Sequence, residues 1–153
     1  MPESSRAVVE RYGRALAAND LDGQMALLHD DAVSEYPQSG ERVAGVANHR
    51  AIVENYPGAE RRALSADVER VVGADDEYMV GPSYNLVHIA GSGDEFVVVS
   101  TVTYPNGETW YMIQLIRVRD GRIWRATNYF GAPFEPPAWR AAYVEMSGDP
   151  TDS

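Results

Sequence analysis

The chain has no cysteine, which excludes disulfides and thiol chemistry outright. It has no apolar run near the roughly 20 residues that a membrane-spanning helix needs, so no membrane partner is expected. Its opening stretch, MPESSRAVVERYGRALAAND, lacks a basic segment followed by an apolar one and does not read as a secretory signal. A cytoplasmic location is the default expectation. Positive charge is scarce: 13 basic residues face 23 acidic ones, for a net charge of −10. Phosphate binding needs a basic surface, so nucleic acid is not an expected partner. The arginines at Arg61–Arg62 and at Arg117, Arg119, Arg122 and Arg125 read as solvated surface. No His-x-His, His-Glu-x-x-His or EF-hand spacing occurs, nor a Gly-x-Ser-x-Gly elbow or a glycine-rich phosphate loop. No metal and no cofactor is expected.

What is present is a chain of 153 residues, long enough to bury a core as one domain over residues 1–147. The tail at 148–153 is expected to be disordered. The strongest local signal is ETWYMIQLIRVRDGRIWRATNYF, from Glu108 to Phe130. Asp120-Gly121 between alternating apolar runs predicts a tight hairpin, because both turn positions need positive φ. Trp110, Met112, Gln114, Ile116 and Val118 share one face of the first strand. Tyr111, Ile113, Leu115, Arg117 and Arg119 share the other. On the return strand Trp124, Ala126, Asn128 and Phe130 fall together. A polar amide set among apolar neighbours on each strand suits the wall of a pocket.

Upstream, Ser4 to Ala18 reads as a helix capped by Ser4 or Ser5, with Val8, Tyr12, Ala15 and Leu16 on one stripe. Asn19-Asp20 leads into a second short helix with Leu21, Met25 and Leu28, weakened by Gly23. Val33 to Tyr36 reads as a strand stopped by Pro37, and Ala47 to Asn55 as a third helix stopped by Pro57-Gly58. Residues 59–63 read as an exposed connector. Strands follow at Val68 to Val72, at Tyr78 to Ile89 with a break at Gly81-Pro82, and at Glu95 to Tyr104 before the turn at Pro105-Asn106-Gly107. Beyond Phe130 a proline-rich arm ends in Trp139, Tyr143 and Met146 at helical spacing, expected as a short amphipathic helix docked on the body. The whole predicts an α+β fold, with three N-terminal helices on a curved antiparallel sheet and a cone-shaped pocket at its wide end.

The run YPQSGERVAGVANHRAI at Tyr36 to Ile52, the hairpin RVRDGRIWRATNYF and the closing APFEPPAWRAAYVE resemble the nuclear transport factor 2-like superfamily, in its SnoaL-like branch. The resemblance spans about Val8 to Val144. It implies a cone-shaped fold, a largely apolar pocket and, frequently, a homodimer through the convex face of the sheet. The superfamily includes ketosteroid isomerases, polyketide cyclases, limonene epoxide hydrolases and binding modules, so fold alone does not choose a function.

Isomerase-like members carry a carboxylate base just before the proline that follows the first strand. Here that position is Tyr36, a poor base and a better hydrogen-bond donor. Glu35 is next to it, but strand alternation sends it to the opposite face. Cyclase-like members carry an aspartate on the last strand, and the matching position is Asn128, which can orient a group but not take its proton. Among the histidines, His29 reads as a cation at a helix C-terminus, His49 as a packing or surface histidine and a weaker candidate base, and His88 as a strand-end residue. The expected ligand-binding residues are Tyr12, Tyr36, Gln38, Trp110, Gln114 and Asn128. The weaker catalytic candidates are Tyr36, His49 and Asn128. The leading expectation is a module that binds a small apolar molecule. The rival is an isomerase, cyclase or dehydratase acting on a polyketide-, steroid- or terpenoid-like substrate, and a protein-binding adaptor is the third.

Overall fold

A computed structural model of the chain describes residues 2–55, 83–103 and 108–147. Helix α1 spans Ser5–Ala17, and the Ser4 hydroxyl caps it by accepting the Ala7 N–H at 3.2 Å. Helix α2 spans Leu21–Ala26, with the Asp20 carboxylate accepting the Gly23 N–H at 2.9 Å. That cap explains a glycine inside a helix. A Cβ at Gly23 would overlap the Asp20 carboxylate, so the helix gives up intrinsic propensity to keep its cap.

Strand β1 follows at Leu28–Tyr36, then β2 at Glu41–Ala44 and helix α3 at Val46–Glu54. The sheet continues with β3 at Ser83–Ser92, β4 at Glu95–Thr103, β5 at Thr109–Arg119 and β6 at Arg122–Gly131. The six strands form one curved, unclosed sheet in the order β2-β1-β6-β5-β4-β3. Every neighbouring pair is antiparallel except β1 and β6, which run parallel. Local hairpins alone would make a wholly antiparallel meander. The parallel pair arises because the N-terminal strand is added to the far side of the last strand, a long-range choice that no turn encodes.

The β5–β6 hairpin forms as the Asp120-Gly121 signal predicts, with φ of 52° and 71° at the two turn residues. Met112, Gln114, Ile116 and Val118 are buried on its inner face. Tyr111, Ile113 and Leu115 remain exposed on the outer one. The return strand departs from strict alternation. The register shifts between Arg117 and Val118, Ile123 pairs with Val118, and Trp124 becomes the extra residue of a bulge. The Trp124 ring packs among the guanidinium groups of Arg117, Arg119 and Arg125, the last at 4.1 Å from its centroid. Ile123 takes the buried place.

Helix α1 packs on β3, β5 and β6 through Val8 and Val9, which are almost completely enclosed. Leu27, Leu28, Phe96, Val98, Ile116, Val118 and Ile123 complete the core beneath it. No helix among the described residues is long and apolar enough to cross a membrane.

Two expectations are corrected. Strand β1 begins at Leu28, so His29 is a strand residue and not a helix C-terminal cation. Its Nδ1 accepts the Asp31 N–H at 3.0 Å and its Nε2 lies 3.4 Å from Asp120. The arm ends in a 3-10 helix, Ala138–Tyr143, and Trp139, Tyr143 and Met146 are 78%, 84% and 74% exposed. At that exposure they are not docked on the described residues. Several expected features lie outside the described residues: the Pro57-Gly58 stop, the connector at 59–63, the strand at 68–72, the break at Gly81-Pro82, the turn at 105–107 and the tail at 148–153.

Ile116 is 1% exposed at the centre of the core. Ile116→Ala should lower unfolding free energy by about 2–5 kcal/mol, through lost burial and the cavity left behind. Denaturant titration checks this, and a loss under about 1 kcal/mol would mean that the core is not centred on this strand.

Candidate functional site

The concave face of the sheet and the helices above it enclose a cavity of about 250 Å³. Its wall is mostly aliphatic and includes Met25, Val33, Val43, Ile52, Val102 and Met112. Among the described residues no aspartate, glutamate, arginine or lysine lines it. The polar groups that do are the side chains of Tyr12, Gln24, Ser34, Tyr36, His49, Gln114 and Asn128.

Strand register explains how three of these meet. Glu35 pairs with Thr127 across β1 and β6, so the next residues along, Tyr36 and Asn128, are neighbours. Asn128 in turn pairs with Gln114 across β6 and β5. Tyr36, Asn128 and Gln114 thus form a row across three adjacent strands on the concave face. Their orientations follow from hydrogen-bond chemistry. The Glu35 carbonyl can only accept, so Asn128 must present its NH₂ there, at 3.3 Å. Its Oδ1 then faces Gln114, which must donate through Nε2, at 2.8 Å. The Gln114 carbonyl oxygen is left as an acceptor on a residue of the cavity wall.

The tyrosine hydroxyls make no hydrogen bond to any described residue. Burial pushes the Tyr12 phenol far above its ordinary value, reinforced by the nearby Tyr36. Burial also raises Tyr36, with a further push from the Glu41 carboxylate. Both therefore stay neutral hydrogen-bond donors at any ordinary pH. The Tyr36 ring lies parallel to that of Phe130, with centroids 6.3 Å apart, which holds it at the cavity wall.

A second polar pair sits on the same wall. Ser34 precedes Tyr36 by two residues on β1, and its hydroxyl lies 2.8 Å from His49 Nε2. His49 stands in the first turns of α3, and its Nδ1 lies 2.7 Å from the carbonyl of Gly45. Gly45 adopts a φ of 83°, a conformation that favours glycine, and its own N–H donates to the Ala32 carbonyl at 2.8 Å. The imidazole is thereby anchored by its own helix start.

Of the residues singled out from the sequence, Tyr12, Tyr36, His49, Gln114 and Asn128 come together at the cavity. Gln38 and Trp110 lie outside its wall. Gln38 binds the Phe130 backbone at both ends of its amide, each at 2.6 Å, and so extends the sheet like a strand residue. The Trp110 indole donates to Glu108 at 3.1 Å. Ser34 and Gln24 were not singled out. Alternation with Tyr36 points to Ser34, and the spacing of three from Leu21 points to Gln24, yet neither has a residue type that stands out.

The SnoaL-like domain family matches residues 9–81. Among solved structures, an NTF2-like protein of unknown function from Burkholderia xenovorans LB400 is 29% identical, with 94% of this chain and 95% of that one covered and a TM-score of 0.70. A proposed ketosteroid isomerase from Kribbella flavida DSM 17836 is 23% identical over 97% and 93%, with a TM-score of 0.74. The protein TerC, co-crystallised with polyporic acid, is 16% identical over 82% and 90%, with a TM-score of 0.60. The chain thus has the NTF2-like fold, and its residues 9–81 match the SnoaL-like domain family. This NTF2-like domain has a phenol at Tyr36 and an amide at Asn128, the two positions where the resemblance places the carboxylates of isomerases and cyclases.

The raised phenols make a pH prediction. A folded pKa above the unfolded value near 10 gives stability that is complete below about pH 10 and lost as pH rises beyond it. The melting temperature should therefore fall more steeply above pH 10 in the wild type than in a Tyr12→Phe, Tyr36→Phe double variant. Equal slopes in thermal scans from pH 8 to 11 would show that these phenols are not held neutral by the fold.

Proposed function

We propose that this NTF2-like domain binds a small, uncharged and mostly apolar molecule carrying a polar oxygen, enclosed between the helices and the concave face of the sheet. The observation that carries this reading is a cavity with seven polar side chains in its wall and no charged one among the described residues. An ionised ligand group would enter without a counter-charge, at a cost of several kcal/mol, about enough to abolish micromolar binding. An apolar ligand gains roughly 25 cal/mol for each Å² it buries against the aliphatic wall. The Tyr12 and Tyr36 hydroxyls would donate to its oxygen, and the Gln114 carbonyl would accept from a hydroxyl. The small-molecule names borne by two of the similar structures support the reading. The open cavity counts against a protein-binding adaptor, which would fill that space with its own side chains.

The enzymatic reading, an isomerase, cyclase or dehydratase, is favoured by one observation: His49, the candidate base, is in the cavity wall. It is disfavoured by the two uncharged positions at Tyr36 and Asn128.

Neutral 2-naphthol and anionic naphthalene-2-sulfonate separate the readings of the pocket. The first should bind and quench its fluorescence change at saturation, and the second should not bind measurably. Gln114→Ala and Asn128→Ala should each weaken 2-naphthol about three- to tenfold, the worth of one or two hydrogen bonds. Unchanged affinity in both variants would remove the pocket assignment.

The outer sheet face supports a homodimer. Tyr111, Ile113, Leu115 and Tyr129 stand there 38% to 44% exposed, and Phe134, Trp139 and Tyr143 of the arm are uncovered as well. Monomers rarely leave such a contiguous apolar face in water. Light scattering coupled to size exclusion should give twice the chain mass for the wild type and a monomer for Leu115→Glu. A monomeric wild type at micromolar concentration rejects the dimer.

A further inference from the structure

The amide row accounts for the orientation of Asn128 and Gln114, but it leaves the Ser34–His49 pair without a role. The geometry of that pair is specific. The Gly45 carbonyl beside His49 Nδ1 has only lone pairs, so Nδ1 must carry the proton. In the neutral ring Nε2 is then bare, and the Ser34 hydroxyl donates to it across 2.8 Å. If the ring gains a proton, Nε2–H donates to Ser34 Oγ and the hydroxyl rotates away. Neither hydrogen bond is lost in either state. A histidine that changes protonation without disturbing its contacts is suited to moving protons.

The arrangement is that of an activated hydroxyl with a base held by a third group. Acyl transfer would also need amides to hold an oxyanion. Ser34 lies within β1, flanked by Val43 of β2 on one side and Ala126 of β6 on the other. The backbone amides around it are spent on those ladders, so the pair lacks that support. Proton transfer needs none.

We propose that Ser34 and His49 form a proton-transfer dyad acting on the molecule in the cavity, removing a proton from a carbon beside an electron-withdrawing group. This rests on the cavity being a small-molecule site. In the step, the carbon–hydrogen bond breaks and its electron pair moves toward the withdrawing group. The proton passes to Ser34 Oγ as that oxygen gives its own proton to His49 Nε2, so no alkoxide forms. The imidazolium then returns a proton to the product or to water. The donors that face the developing negative charge are the Tyr12 and Tyr36 hydroxyls, which burial keeps protonated.

Two measurements test the dyad. Long-range proton–nitrogen correlation spectra on labelled protein report the tautomer of each of the three histidines, with His49→Gln assigning the His49 signals. The expected form carries its proton on Nδ1. A proton on Nε2 in the neutral ring overturns the proposal. The second uses 5-nitrobenzisoxazole, a neutral apolar carbon acid whose ring opens to a cyanophenolate when a base removes its proton. The wild type should open it with saturation kinetics above the buffer rate. His49→Gln should lower kcat about a hundredfold, with KM within about twofold, and Ser34→Ala should lower kcat with KM likewise retained. Unchanged kcat in His49→Gln, or a wild type that binds the probe without turnover, overturns the dyad. A probe that does not bind counts against the cavity as a small-molecule site, and the tautomer spectrum then decides the dyad by itself.

Discussion

The parallel pairing of β1 with β6 is the contact on which the rest of the site depends. It joins the N-terminal third of the chain to its last strand and sets Tyr36 beside Asn128. The same pairing lets the Glu35 carbonyl reach Asn128, which fixes the direction of one amide and, through it, the next. It also brings Ser34 onto the concave face, under helix α3 and its histidine. Shift that register by one residue and Glu35 would turn inward while Tyr36 turned to solvent. The cavity would then hold a carboxylate, and its chemistry would be different.

The second constraint is that no charged side chain among the described residues lines the cavity. Buried polar groups are tolerated when they are paired, and here the pairing is economical. Asn128 accepts from Gln114 and donates to a single backbone carbonyl, which leaves the Gln114 carbonyl oxygen open, while burial raises the pKa of both phenols. His49 belongs to the same logic, because its partners accept either protonation state.

Alternation and turn chemistry made much of the fold legible before any coordinates. The Asp120-Gly121 turn, the faces of β5 and the capped start of α1 at Ser4 follow from patterns of period two and 3.6 and from the demands of φ. The misses have particular causes. The bulge at Trp124 lets Ile123 take the buried place while Trp124 still lines the cavity with Ala126, Asn128 and Phe130, and nothing local announces it. His29 sits where a helix end and a strand start are equally compatible with the sequence. Trp139, Tyr143 and Met146 have helical spacing but no partner surface among the described residues, and spacing alone cannot say what an apolar stripe touches. Gln38 looks like a pocket residue by type and is instead spent on the Phe130 backbone.

The sequence by itself determined the class of fold, the faces of the long hairpin and the lack of a carboxylate at Tyr36 and Asn128. These are properties of local spacing and of residue identity, and they need no knowledge of what lies far along the chain. Only the tertiary structure decided that Gln114 and Asn128 bind one another, that Ser34 meets His49, and that Gln38 and Trp110 stand outside the cavity. Each of those facts depends on the register of strands distant in sequence and on where a helix start lands above them. Long-range register is set by the packing of the whole core, and no window of local sequence contains it.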